Sequence, residues 1–143
     1  MIFLKLGLVH LVPIHWGPWK AAELFLKVLK TNAIFNQVTG LKILLYGLAK
    51  TCKGHATDVA NLLGLLGEDP VTIDVDRIAE KVLDITTMVS LLLSGEHQIN
   101  FSVEEDLLYS YHESLEYHPN ALTFQAFFKN GSALSETYYS VGG

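Results

Sequence analysis

The spacing of apolar and polar positions predicts both helices and strands in the first half of the chain. From residue 17 to about residue 30, apolar side chains recur at helical spacing, and Pro18 suits the first turn of such a helix. Residues 41–46 form an apolar run between two glycines, which is typical of a buried strand. A second helix is predicted over residues 59–66, where a glycine follows it.

The middle of the chain has a weaker pattern. Asp74 or Asp76 is expected to cap a helix that runs through about residue 83. Residues 85–93 are β-branched at first and then rich in leucine, and we interpret them as a further helix.

Strand signals dominate the rest of the chain. Residues 97–101 alternate between polar and apolar side chains, whereas residues 104–116 are acidic and aromatic without a clean period. Asn130-Gly131 lies between apolar runs at 122–128 and 133–140, and Asn-Gly is a strong signal for a hairpin turn. We therefore expect a single α+β domain over residues 1–143, with helices packed on a mixed or antiparallel sheet.

Composition restricts the classes of partner and cofactor. Half of the residues are hydrophobic and 17% are charged, so the chain is expected to fold around a core. The net charge of -5 argues against nucleic acid and anionic membrane surfaces as partners, and no apolar run approaches the ~20 residues of a membrane span. Cys52 is the one cysteine, which excludes a disulfide within the chain and a thiolate metal site built from this chain alone, and favours a cytoplasmic location.

Residues 53–58 concentrate chemically active side chains. Six positions hold a cation, a glycine, an imidazole, a hydroxyl and a carboxylate, a density of polar groups that a buried core segment would not tolerate. The predicted helix follows at once, with Thr57 or Asp58 as its N-cap. His55 is then expected on a strand-to-helix turn, near a helix end that attracts anions.

Several segments of the chain form a recognisable set. They are Tyr46-Gly47-Leu48-Ala49, Thr51-Cys52-Lys53-Gly54-His55-Ala56-Thr57-Asp58, His118-Pro119-Asn120 and Thr137-Tyr138-Tyr139-Ser140-Val141-Gly142-Gly143. Together they resemble one family, the β chain or N-terminal β domain of iron–sulfur-dependent L-serine dehydratases, from Gly17 onward. Cys52 stands where the family's Thr-Gly-Lys-Gly-His motif has its first glycine, and Ala121-Leu122 replaces the Gly-Met of the family's His-Pro-Asn-Gly-Met.

The resemblance implies L-serine ammonia-lyase chemistry, in which serine loses water and the resulting aminoacrylate becomes pyruvate and ammonia. It also implies a [4Fe–4S] cluster, held by an α domain that this chain lacks, as the Lewis acid for the serine hydroxyl. A histidine of the β domain would remove the Cα proton, and His55 matches it by position. The fold that it implies resembles the allosteric substrate-binding domain of certain D-3-phosphoglycerate dehydrogenases.

Substrate contacts are implied for five further residues, each of which also has a purely structural interpretation. Lys53 could bind the serine carboxylate or be a solvated surface cation. Thr57 and Asp58 are most simply helix caps, and an orienting role of the Asp58 carboxylate on the imidazole is the second interpretation. His118 and Asn120 could contact the substrate or belong to a turn.

Before Gly17 the resemblance breaks. The family has Phe-Lys-Ile-Gly-Ile-Gly-Pro-Ser-Ser-Ser-His-Thr where this chain has residues 4–15. A DNA segment encoding the family residues, with suitable codons and read one base later, encodes this chain's residues without a mismatch. We therefore hypothesise that residues 4–15 are a frameshifted translation caused by two compensating indels. A chain that has Leu11-Val12-Pro13-Ile14 in place of the Ser-Ser-Ser-His loop is expected to be inactive even with its α partner.

Three functions remain open at this stage. The leading one is the β half of an L-serine dehydratase, inactive alone and completed by the α domain, in an enzyme expected to be a homo-oligomer. The second is a module that binds an amino acid or small anion at the His55 loop without chemistry. The third is a decayed domain that only packs or oligomerises.

Overall fold

The fold is built from seven strands and four helices in the residues that the structure, a computed structural model, describes: 8–13, 17–47, 56–110 and 120–141. Two short 3-10 turns, Phe35–Gln37 and Val75–Arg77, precede β2 and α3. The elements are β1 (Leu8–Pro13), α1 (Gly17–Thr31), β2 (Val38–Gly47), α2 (Ala56–Leu65), α3 (Ile78–Met88), β3 (Ser90–Leu93), β4 (His97–Asn100), α4 (Val103–Asp106), β5 (Leu107–Ser110), β6 (Asn120–Phe128) and β7 (Ala133–Val141).

Five of the strands form one mixed sheet in the order β1-β7-β6-β2-β5. The pairs β1–β7 and β2–β5 are parallel, whereas β6 is antiparallel to both β2 and β7. This register places the carboxyl ends of four strands and the amino end of β6 at the same side of the sheet. We call this side the carboxyl edge and define it by Pro13, Gly47, Ser110, Asn120 and Val141.

The two long helices share one core with the sheet. Phe25 of α1 stacks on Phe124 of β6 with 4.8 Å between ring centroids, and Leu62 of α2 belongs to the same buried cluster. A separate small cluster of Tyr46, Ala121 and Tyr139 lies on neighbouring strands, at positions that alternate with the core-facing ones. Because α1 follows β1 and α2 follows β2, both helices begin at the carboxyl edge.

A small hairpin, β3–β4, lies at the other end of these helices. The amide of Ser94 donates to the carbonyl oxygen of Leu65, the last residue of α2, at 2.7 Å. Lys30, near the end of α1, donates to the Ser94 hydroxyl at 2.7 Å. Nε2 of His97 lies 2.8 Å from the carbonyl oxygen of Val38, where β2 begins. The hairpin therefore covers the side of the fold away from the carboxyl edge.

Most of the predicted elements are confirmed. The α+β class, the first helix, the buried strand, the strand at residues 97–101 and the Asn130-Gly131 hairpin all agree with the structure, with ends shifted by a few residues. The helix expected through residue 83 continues to Met88. The proposed likeness to the phosphoglycerate dehydrogenase domain stays a prediction. No helix in the described ranges is long and apolar enough to cross a membrane.

Two predictions of secondary structure are wrong. Neither Thr57 nor Asp58 is an N-cap, because α2 begins earlier, at Ala56, and takes both residues into its first turn. Residues 85–93 are not one helix: α3 ends at Met88, Val89 has φ 50°, and the leucine-rich part forms β3. That segment pairs with β4, so its alternate leucines, Leu91 and Leu93, are buried by sheet packing rather than by a helical face.

Candidate functional site

The carboxyl edge brings together the ends of the segments that carry the predicted chemistry. Asn120 pairs with Gly47, and Ser110 pairs with Tyr46, so β2, β5 and β6 meet there side by side. The first turn of α2 holds Thr57 and Asp58. Loops at the carboxyl ends of strands are a common location for binding and catalytic residues because the sheet positions them rigidly.

The structure places three of the six predicted site residues. Asp58 is described with its side chain, whereas Thr57 and Asn120 are placed by their backbone alone, in α2 and at the start of β6. Lys53, His55 and His118 lie outside the described residues. Their roles therefore stay predictions.

The Asp58 carboxylate has a partner that the sequence did not indicate. The hydroxyl of Tyr109 donates a hydrogen bond to Oδ1 of Asp58, and both side chains are partly buried. Tyr109 belongs to β5, where it pairs in register with Leu45 of β2. It was missed because it lies in the acidic and aromatic stretch 104–116, which has no periodicity to mark a strand.

Electrostatics at the start of α2 favour this arrangement. Asp58 is the acidic residue of the first turn, where the helix dipole stabilises a negative charge. A charged acceptor also strengthens the hydrogen bond that the tyrosine donates. The carboxylate thus stabilises the beginning of the helix that directly follows His55 in the sequence.

A second buried polar group lies near the same edge, in β7. Tyr138 is buried among core residues and contacts Phe124 edge-on, with 5.7 Å between ring centroids. Burial, and then the neighbouring carboxylate of Glu136, raise the pKa of the Tyr138 phenol far above its ordinary value. The Tyr138 phenol therefore keeps its proton to a higher pH than an exposed tyrosine does.

Metal ligands are sparse in the part of the chain that the structure describes. Within the ranges that the structure describes, no group of three or more His, Cys, Asp or Glu side chains could bind a metal ion. The whole sequence contains a single cysteine, so four thiolate ligands for a [4Fe–4S] cluster are not available from one chain.

Comparison with known proteins identifies the family. A family model described as serine dehydratase beta chain matches residues 14–143. The chain belongs to this family. The expectation drawn from the motifs of the sequence is thereby confirmed at the level of family, and the match covers all six predicted site residues.

The curated relatives that this chain matches are named L-serine dehydratase. The chain is 37% identical over 129 residues to L-serine dehydratase of Streptomyces coelicolor and 34% identical over 129 residues to L-serine dehydratase 1 of Escherichia coli K12. It is 40% identical over 139 residues to L-serine dehydratase of Helicobacter pylori strain J99. Each match covers 89% of this chain but 28% of the relative. The chain therefore spans little more than a quarter of the length of these relatives.

Proposed function

We propose that this chain is the β domain of an L-serine dehydratase, the enzyme that converts L-serine to pyruvate and ammonia, and that an α domain completes it. Membership of the serine dehydratase beta chain family supports the proposal. The observation that carries it is the carboxyl edge, where the ends of β2 and β5 and the start of β6 lie on the same side of the sheet. These strands flank residues 48–55, which include Lys53 and His55, and residues 111–119, which include His118.

In this proposal the chain supplies the base and part of the substrate contacts. His55 removes the Cα proton of serine, a task that suits an imidazole because its ordinary pKa is near neutral pH. Lys53 binds the substrate carboxylate, and Asn120 and His118 form hydrogen bonds with the substrate. Thr57 and Asp58 complete the site from the first turn of α2.

The [4Fe–4S] cluster belongs to the α domain in this proposal, because the single cysteine of this chain cannot hold it. When bound, the cluster would supply a Lewis acid for the departing hydroxyl. The partners in this proposal are the α domain and L-serine, and the complete enzyme is a homo-oligomer. A reducing cytoplasm suits an iron–sulfur cluster and a chain with a single cysteine.

The N-terminal segment decides whether the chain is active as written. The family match begins at residue 14, so it leaves out most of the residues that we interpret as frameshifted, 4–15. Restoring the frame would return a Ser-Ser-Ser-His loop in place of Leu11-Val12-Pro13-Ile14. Hydroxyl and imidazole groups would then replace apolar side chains at the carboxyl end of β1.

These apolar residues also favour a second candidate, a domain that binds an amino acid or a small anion without catalysis. If residues 11–14 are genuine, the substrate meets apolar side chains where the family has hydroxyl groups. Binding at the His55 loop can then persist while the chemistry is lost. A decayed domain that only packs or oligomerises would not bind L-serine.

Anaerobic reconstitution with an α domain, iron and sulfide tests the proposal by the formation of pyruvate from L-serine. The variants are the chain as written, the frame-restored chain, and the frame-restored chain with His55→Ala. Of these variants, each combined with the α domain, we expect full activity only in the frame-restored chain. His55→Ala should lower that activity by at least about 10²-fold. His97→Gln is the matched control, since His97 lies on the opposite side of the fold and glutamine can still donate to the Val38 carbonyl.

The possible results separate the candidates. An inactive restored chain with a fully assembled cluster contradicts the dehydratase proposal, and calorimetry with L-serine then distinguishes the binding domain from the decayed one. Activity of the chain as written contradicts the frameshift hypothesis but supports the enzyme. Equal losses in His55→Ala and His97→Gln would contradict the role of His55 as the base.

A further inference from the structure

Tyr109 contacts both of the elements between which Lys53 and His55 lie in the sequence, β2 and α2. Its backbone pairs in register with Leu45, near the end of β2. Its hydroxyl donates to Oδ1 of Asp58, in the first turn of α2. Residues 48–55 connect these two places in the sequence. One residue of β5 therefore joins the strand that leads into the segment to the helix that follows it.

We propose that Tyr109 is a positioning residue, which fixes the first turn of α2 through Asp58, the turn that directly follows His55 in the sequence. The proposal rests on the dehydratase function for its kinetic consequences. It assigns Tyr109 no contact with the substrate. The residue acts only through the carboxylate of Asp58.

The first turn of a helix is the part that most needs such an anchor. Its amide groups lack acceptors within the helix, so it opens more easily than the centre. The rest of α2 is held by buried side chains, among them Leu62 and Leu65. In the described part of the first turn, Asp58 provides a side-chain hydrogen bond to the sheet. Loss of this bond is expected to loosen the turn while leaving the rest of the helix packed.

Positioning of a general base has a large effect on rate. A displacement of about 1 Å can reduce a rate by about 10²-fold, because proton transfer depends steeply on the distance between donor and acceptor. Substrate affinity depends less on a small rotation of one side chain. A positioning residue should therefore affect kcat much more than KM.

Tyr109→Phe tests the proposal because it removes only the hydroxyl and keeps the ring and the backbone pairing with β2. Thr123→Val is the matched control, since Thr123 Oγ1 forms a hydrogen bond of 2.8 Å with Thr137 Oγ1 elsewhere in the same sheet. We expect Tyr109→Phe to lower kcat about tenfold with KM within about twofold, whereas Thr123→Val changes neither. These rates are measured in whichever form of the chain, as written or frame-restored, is active with its α domain.

A double-mutant cycle shows whether Tyr109 acts through Asp58. In the Asp58→Ala background, Tyr109→Phe should reduce kcat by less than about twofold, since the acceptor is already absent. If Tyr109→Phe slows both backgrounds by the same factor, the proposed route through Asp58 is wrong. If Tyr109→Phe leaves kcat unchanged, Tyr109 is not a positioning residue.

Amide exchange gives a readout that does not depend on activity. The amides of Ala60, Asn61 and Leu62 donate to the carbonyls of residues 56–58, so they report on the first turn. Tyr109→Phe should accelerate their exchange in the full chain about fivefold, and Thr123→Val should not. Unchanged exchange overturns the proposal whatever the activity. If no form of the chain is active, the dehydratase function fails, and exchange alone decides whether Tyr109 anchors the turn.

Discussion

Asn61 of α2 donates a hydrogen bond from Nδ2 to the carbonyl oxygen of Pro18, in the first turn of α1, at 3.1 Å. Asn61 is fully buried, and its Oδ1 has no hydrogen-bond partner among the residues that the structure describes. The bond ties α2 to the start of α1, which lies at the carboxyl edge. This polar contact in the core therefore fixes how two elements of the candidate site meet.

Asn61→Asp should destabilise the protein in a pH-dependent way. The substitution keeps the shape but places a carboxylate against the Pro18 carbonyl, and we expect the free energy of unfolding at pH 7 to fall by about 3 kcal/mol. Burial raises the pKa of the introduced carboxyl, so the folded state binds its proton more tightly than the unfolded state. The loss should therefore be smaller at pH 4 than at pH 7, as measured by urea denaturation.

The exposed Asn32 offers a matched control for this prediction. Its Nδ2 donates to the Val28 carbonyl oxygen at 2.8 Å, so Asn32→Asp removes the same kind of bond in water. We expect a loss below about 1 kcal/mol. Equal losses at the two positions would show that burial of Asn61 is not what determines the cost.

Gly64 allows α1 and α2 to approach closely. A Cβ atom at this position would lie 2.7 Å from the carbonyl oxygen of Trp19 and 2.8 Å from the Cβ of Ala22. Gly64→Ala should therefore lower the free energy of unfolding by about 2 kcal/mol, although alanine has the higher helix propensity. Gly40→Ala is the control, since its Cβ would lie at an ordinary 3.8 Å from Phe127. A stabilised Gly64→Ala variant would contradict the observed helix contact.

Tyr138 should make the folded state sensitive to alkaline pH. Burial and Glu136 raise the pKa of its phenol in the folded protein, while the unfolded value stays near 10.0. Above that pH the unfolded state loses a proton that the folded state keeps. The contribution of Tyr138 to the free energy of unfolding is therefore fully present below about pH 10. It falls as the pH rises further, by up to about 1.4 kcal/mol per pH unit. Denaturation measured from pH 8 to 11 should show that the free energy of unfolding falls less steeply with pH in Tyr138→Phe than in the unsubstituted protein. Identical slopes in the two proteins would contradict the assignment.

The sequence predicted those elements whose signals are local. Asn130-Gly131 specifies a tight turn by its backbone preferences, and the helical spacing of Phe25, Leu26 and Leu29 matches the face that is buried in α1. The motif segments were recognisable because they are continuous in the sequence. Their meeting at one edge required the pairing of β2 with β5 and β6, which no local pattern encodes.

The parts that were missed depend on contacts between distant residues. Tyr109 became a candidate only when β5 brought it to Asp58, 51 positions away in the sequence. The start of α2 was predicted too late because Thr57 and Asp58 resemble capping residues, whereas the carboxylate is instead used as an acceptor for Tyr109. Local capping rules cannot anticipate a tertiary acceptor of this kind.

The end of α3 was also missed, because Val89 stands at the position after the helix where a glycine usually marks the C-terminus. This β-branched residue adopts the left-handed conformation, with φ 50° and ψ 45°, and its amide donates to the carbonyl oxygen of Ile85. A left-handed conformation costs a β-branched residue about 1–2 kcal/mol. The following strand, β3, is buried through Leu91 and Leu93, and this packing offsets the strain.

Val89→Gly should therefore raise the free energy of unfolding by about 1 kcal/mol, since glycine adopts this conformation freely and Val89 is already 51% exposed. Thr87→Gly, in the preceding exposed turn of α3, is the matched control and should lower the free energy by about 1 kcal/mol. Urea denaturation of both variants measures the difference. If Val89→Gly destabilises the protein as Thr87→Gly does, Val89 does not hold the end of α3 in a strained left-handed conformation.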